Sequence, residues 1–233
     1  MGNLPANESE WGTRPGGRIM TKLLLAIAMA VSVLASPAYA CKGGKVQFAD
    51  DFRDVDPAWN IEAAPDRYAI SGGKLAISPD AKITPLGNWT NLYTGSFFGD
   101  ADICVTITFP TEAGAEDASG GIAFWATDIN NLYKFGISPA GTASIIRWQN
   151  GKVLMVASWR KTDALKTTPG ATNTIRVTLN GSSAATYIND KPFVTIKGQP
   201  PEGGSEIGLS ASAGQRASFP FLFSDLKVTD LPK

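Results

Sequence analysis

The sequence predicts an all-β protein, an antiparallel two-sheet sandwich, on three observations. No window keeps an apolar 3.6-residue period over three turns. Roughly twelve to fourteen short runs rich in β-branched and aromatic residues are separated by turn signals every 8–12 residues. Between two of these runs sits Asn150-Gly151, the strongest short-range hairpin signal, because a type I′ turn needs positive φ at both central positions. With those residues as the loop, Gln149 pairs with Lys152, Trp148 with Val153, Arg147 with Leu154 and Ile146 with Met155. Alternation then collects Ile146, Trp148, Val153, Met155, Ala157 and Trp159 on one face, expected to be core. The other face, with Ile145, Arg147, Leu154, Val156, Ser158 and Arg160, is half apolar and half basic.

Residues 20–40 read as a secretory signal peptide. Lys22 precedes an apolar run over 23–34, and Ala38-Tyr39-Ala40 is a small-residue cleavage signal, with cut expected after Ala40. The run is shorter than the about 20 apolar residues that a membrane span needs. Met20 stands where such a peptide begins, so residues 1–19 read as an upstream misassigned start, with a long polar n-region as the alternative. A lipoprotein anchored at Cys41 fits less well, because the usual aliphatic and small residues before the cysteine are missing. Residues 41–233 form a single domain, periplasmic or secreted. The chain has 21 basic and 21 acidic residues; setting aside Arg14, Arg18, Lys22, Glu8 and Glu10 leaves 18 and 19. A near-neutral chain without a basic block argues against nucleic acid or an anionic membrane as partner. Cys41 and Cys104, an even pair in an exported chain, read as one disulfide, with two free thiols as the alternative.

Along the domain, 46–52 is a first strand and Asp56-Pro57-Ala58-Trp59 a loop laying an indole on the core. Runs 68–70 and 74–77 flank the hairpin turn Ser71-Gly72-Gly73. Runs 92–98 and 101–108 follow, then an acidic loop over 112–119. Strands are expected at 120–126, 132–138, 143–149 and 152–159, and a polar segment, 161–173, is long enough to drape over one face. Runs 174–179, 184–188 and 193–197, split by Asn180-Gly181 and Asn189-Asp190, repeat the strand-turn-strand theme; 206–211 and 219–228 close the chain.

These strands carry a family resemblance. Phe48-Ala49-Asp50-Asp51-Phe52 and Asp56-Pro57-Ala58-Trp59 open it, followed by Gly120-Gly121-Ile122-Ala123-Phe124-Trp125 and Asn131-Leu132-Tyr133-Lys134-Phe135. Asn173-Thr174-Ile175-Arg176-Val177, Tyr187-Ile188-Asn189-Asp190-Lys191, Gly203-Gly204-Ser205-Glu206-Ile207-Gly208-Leu209 and Phe223-Ser224-Asp225-Leu226-Lys227-Val228 complete it. In this order they resemble the concanavalin A-like lectin/glucanase superfamily, with its laminin-G-like domains. Within it they are most similar to the 3-keto-disaccharide hydrolase group of secreted bacterial domains. The resemblance implies a jelly roll and a carbohydrate-related role, while the fold itself hosts lectins, hydrolases and structural modules.

Catalytic chemistry is hard to place. The chain has no histidine, which removes Ser-His-Asp and Cys-His sites and His-ligated metals. Glycosidases of the fold imply two carboxylates, commonly E-x-D-x-x-E on a strand. No such string occurs, and the runs over 120–126, 132–138, 143–149 and 152–159 hold neither Asp nor Glu. The hydrolase group implies Arg where Trp125 stands. No residue is assigned a catalytic role. Calcium, which laminin-G-like relatives imply, finds oxygens in Asp128-Ile129-Asn130-Asn131 but no spaced carboxylate ladder; an Asx turn reads better there. Asp50-Asp51 and Asp225 gather in a second acidic cluster if the first and last strands pair. No cofactor is expected.

Carbohydrate binding needs an aromatic platform and planar hydrogen-bonding groups. Trp125 shares its facing with Ala123, opposite the core-like Ile122 and Phe124. If that face also carries Lys134, Arg147 and Arg160, a Trp/Arg/Lys patch results that suits acidic sugars. The alternative keeps Trp125 in the core, where Trp59, Trp148 and Trp159 are also placed; Trp89 stays undecided. The reading is therefore a secreted, non-catalytic, monomeric domain binding a glycan or polysaccharide, with ligand residues Trp125, Lys134, Arg147 and Arg160. The alternatives are a keto-disaccharide-type hydrolase and a structural envelope module.

Overall fold

A computed structural model describes residues 41–80, 88–213 and 218–232. The leader and upstream start fall outside the described residues. Fourteen strands are found among the latter, with three single-turn 3-10 segments and no long helix. No helix there is long and apolar enough to cross a membrane.

The strands are β1 (Val46–Asp50), β2 (Tyr68–Ser71), β3 (Lys74–Ile77), β4 (Asn88–Phe98), β5 (Ala101–Thr108), β6 (Ser119–Asp128) and β7 (Asn131–Ser138). After them come β8 (Thr142–Gln149), β9 (Lys152–Lys161), β10 (Thr172–Asn180), β11 (Ser183–Ile188), β12 (Lys191–Lys197), β13 (Ser205–Ser212) and β14 (Phe221–Thr229). They form two antiparallel sheets. One runs β12-β11-β10-β5-β14-β3-β2, with β1 also on β14; the other runs β4-β13-β6-β7-β8-β9. First and last strands do pair, Asp50 opposite Leu226.

Turn chemistry sets the hairpins. Gly72 and Gly73 take positive φ between β2 and β3, and Asn150 and Gly151 between β8 and β9. The latter pairing is Gln149 with Lys152, Trp148 with Val153, Arg147 with Leu154 and Ile146 with Met155, as expected. Asp56 caps a 3-10 turn, accepting from the Ala58 amide at 2.9 Å, and this drops Trp59 into the core, fully buried. The indole Nε1 then donates to Asp50 Oδ2 at 2.7 Å, which satisfies a buried donor. The inner faces of both sheets supply the rest: Ile103, Val105 and Ile107 of β5, Ile122 and Phe124 of β6, Phe135 and Ile137 of β7, and Phe221 and Phe223 of β14.

The terminus is fastened to the larger sheet. Cys41 and Cys104 are bonded, with Cα atoms 5.4 Å apart. Beside them the Lys42 amide donates to the buried Asp102 carboxylate at 2.8 Å, and Arg176 Nη1 reaches the same oxygen at 3.4 Å. The guanidinium of Arg176 lies 3.9 Å from the ring of Tyr187, so the buried ion pair is closed in by an aromatic face.

Candidate functional site

The open face of the six-stranded sheet holds a groove of about 380 Å³. Its position follows from the alternation of β7. Tyr133, Phe135 and Ile137 point to the core; Lys134, Gly136 and Ser138 therefore point away from it. The connection 139–141 sets Ser138 opposite Thr142, which puts Lys134 opposite Ile146. Ile146 and Trp148 thus share the face of Lys134, and Arg147 does not. Across the hairpin, Val153 and Met155 extend this wall. The floor is made of small residues: Ser212 of β13, Ser119 of β6, Gly136 of β7 and Ser144 of β8. A Cβ on Gly136 would sit 3.4 Å from Trp159 Cη2, an ordinary contact distance, so the indole lies close over the sheet at this glycine.

The face expected to be core is therefore largely the groove, where Met155 and Trp159 are 51% and 42% exposed; on the mixed face Ile145 is fully buried while Leu154 and Val156 stay exposed. Two shifts of register in β8/β9 also break simple alternation, so that Ala157 turns back to the core opposite Ile145 while Trp159 stays on the groove. Trp148 and Trp159, expected in the core, are groove residues.

The four residues expected to form one patch are divided: Trp125 and Arg147 line one small hollow with Tyr133 and Gln199, and Lys134 and Arg160 lie outside it. Trp125 is 4% exposed and packs among Phe124, Tyr133 and the backbone at Gly198. The reason is a bulge: between Phe124 and Asp128 strand β6 advances four residues while β7 advances two. Trp125 takes φ of +48°, a left-handed value for a bulky residue, and its indole turns to the core side of Ile122 and Phe124. Arg147 lies 5.2 Å over Tyr133 and donates to Gln199 Oε1 at 2.8 Å. Arg160 lies 4.5 Å over Phe193, which itself stacks on Phe135, and donates to the Phe193 carbonyl at 2.8 Å. Both arginines face the inter-sheet side at its rim. Of the four, Lys134 alone lines the groove.

Lys134 is the site's most unusual group. The residue is 3% exposed, and its Nζ donates to Asn88 Oδ1 at 3.1 Å, an oxygen that also receives the Ser210 hydroxyl at 3.4 Å. The lysine and asparagine thereby tie β7 to β4 across the intervening strands. Among the described residues no carboxylate forms an ion pair with it. Burial without a counter-charge lowers its pKa from 10.5 to about 7. Asp117, in the 3-10 turn before β6, is the one carboxylate lining the groove among the described residues.

The other acidic candidates are occupied. Both oxygens of Asp128 accept from the Asn131 side chain at 3.2 and 3.0 Å, and Oδ1 also from the Asn130 amide at 2.7 Å; these bonds hold its pKa below the usual value. Glu206 is raised by burial and then by the charge of Asp128, and neither lines the groove. Asp51 and Asp225 meet in a separate surface hollow with Arg53 and Lys74. No group of three or more metal-ligating side chains is gathered among the described residues. Trp89 donates from Nε1 to the hydroxyl of Tyr68, a structural bond.

Two antiparallel sheets in this order form a jelly-roll sandwich, with a groove on the open face of one. Solved structures share it. The carbohydrate-binding module CBM66 from Bacillus subtilis superposes with a TM-score of 0.55 at 13% identity, covering 70% of this chain and 91% of that one. A β-glucanase from Bacillus licheniformis gives 0.57 at 10% identity, over 80% and 99%. LamAcat from Zobellia galactanivorans gives 0.55 at 10% identity, over 80% and 98%. No protein-family model and no curated protein matches the sequence.

Proposed function

We propose that the chain binds a glycan in the groove of the six-stranded sheet and does not cleave it. The observation that carries this reading is the exposed indole of Trp159 resting on a Gly/Ser floor, beside the hydrogen-bonding pair Lys134–Asn88. An indole offers a flat surface to the C–H face of a sugar, and the small floor leaves depth for the ring. Glycoside hydrolysis uses two carboxyl groups about 5 to 9.5 Å apart; among the described residues Asp117 is the one groove carboxylate, which favours binding. The fold's neighbours include a module named for carbohydrate binding and enzymes named as glucanases, so fold alone is neutral between the two. No residue of 161–173 lines the groove, so that segment leaves the face open to a ligand. The disulfide favours an oxidising compartment, periplasmic or extracellular, where polysaccharides are met.

On a glycan array, the wild-type chain is expected to bind, and Trp159→Ala to lose about tenfold or more in affinity; each 1.4 kcal/mol of lost stacking and apolar contact is a factor of ten. Its melting temperature should stay within about 3 °C, because the indole lies half-exposed on an edge strand. Equal binding by wild type and variant would remove Trp159 from the site. Release of reducing ends from any bound glycan would make the protein a hydrolase instead.

A further inference from the structure

We infer that the groove selects an anionic glycan, a uronic-acid chain whose carboxylate docks on Lys134. The inference rests on the proposed glycan site and names its ligand class. An ammonium has three N–H donors, and among the described residues Lys134 has one hydrogen-bond partner, the neutral amide oxygen of Asn88. Its stem runs beside Gly136, where an added Cβ would stand 3.6 Å from Lys134 Cε and 3.4 Å from Trp159 Cη2, so lysine and indole adjoin in the groove lining. A cation removed from water and left without a counter-charge is costly. A ligand carboxylate entering the groove offsets that cost, which a neutral sugar cannot do. Trp159 would take the sugar ring while Lys134 takes the acid on the same residue or its neighbour.

The charge environment sets the pH dependence. Among the described residues Asp117 is the one titratable group sharing the groove with Lys134, and Glu116 lines the adjoining cleft near Trp159. From β4, β13 and β8 the groove receives Asn88, Ser212 and Ser144, all neutral. In the free protein the lysine carries its proton below about pH 7. A uronate stays ionised throughout the range above about pH 5. Binding the carboxylate requires the ammonium and raises its pKa, so affinity is greatest below pH 7. It falls by up to tenfold per pH unit above 7 until the pKa of the bound state is reached.

The test is calorimetry on the full chain in EDTA, with hexagalacturonate and its fully methyl-esterified form, from pH 5.5 to 8.5. The acid form is expected to bind at least tenfold more tightly than the ester at pH 6, and to lose that advantage towards pH 8.5. Lys134→Met, which keeps the stem and removes the charge, should equalise the two forms and flatten the profile. Asn88→Asp, which supplies a counter-charge, should do the same by another route. Equal affinity for both forms in the wild type, or an acid preference that survives in both variants, overturns the inference while the glycan reading stands. If neither hexamer binds, the inference is overturned, and the Trp159→Ala array comparison decides the glycan reading separately.

Discussion

Replacing Trp125 by alanine is expected to destabilise the protein by about 3–5 kcal/mol, the usual cost of emptying a buried tryptophan site. For a domain of this size that is a fall in melting temperature of roughly 10 °C. The indole is enclosed: Phe124 and Tyr133 lie 5.4 and 5.3 Å away by ring centroids, and a Cβ on Gly198 would stand 2.3 Å from Cζ3. Collapse into the vacated space is limited by the bulge, which fixes the backbone there. Alanine also keeps the left-handed φ unfavourable, so the strain of about 1 kcal/mol or more is not relieved. Glycan affinity of the folded fraction should be unchanged within about twofold. Thermal unfolding measured beside binding decides it: lost binding with an unshifted melting temperature would put Trp125 on the ligand surface and refute its place in the core.

The second large effect is expected from the disulfide. It links residues 63 apart, and in the chain-entropy model closing a loop of that length is worth about 4 kcal/mol. Cys104 lies mid-strand in β5, between β10 and β14, so the bond anchors the start of the domain to the centre of the larger sheet. Next to it the Lys42 amide and Arg176 converge on Asp102, contacts that hold the same segment after reduction. Urea unfolding of the Cys41→Ser/Cys104→Ser variant should therefore show a folded protein with a lower midpoint. The m-value should be larger, because the unlinked denatured chain exposes more surface. A stability loss under about 1 kcal/mol would show that the unfolded state gains little freedom when the bond is removed.

The fold was legible because its signals are local. Gly72-Gly73 and Asn150-Gly151 state their turns outright, and Ile103, Val105 and Ile107 alternate without interruption. The disulfide followed from the count of two cysteines. The site was less legible because it depends on which face of each strand is buried, and that is decided between strands. A slip of one residue between β7 and β8 exchanges the two faces. Both faces of the β8/β9 hairpin are rich in apolar residues, so hydrophobic count pointed the wrong way for Trp148 and Trp159. The corrective signal lay in β7, where Lys134, Gly136 and Ser138 alternate with Tyr133, Phe135 and Ile137. Coupled through the three-residue connection to Thr142, it carries Ile146 and Trp148 to the lysine side. The burial of Trp125 was hard to read for a different reason. A bulge has no dependable signature in one sequence, and the phase of β6 shifts there without a glycine to mark it.

A ligand in the groove is expected to lie against Trp148 and Trp159 on the open face of the six-stranded sheet. The six tryptophans of the chain each give one indole N–H signal in a nitrogen-15 correlation spectrum, so titration with a glycan positive on the array locates the site directly. The expected result is movement of the Trp148 and Trp159 indole signals, assigned by single Trp→Phe variants, with those of Trp59 and Trp125 stationary. Movement of Trp125 with Trp159 unchanged would contradict the account and return the site to the other end of β6.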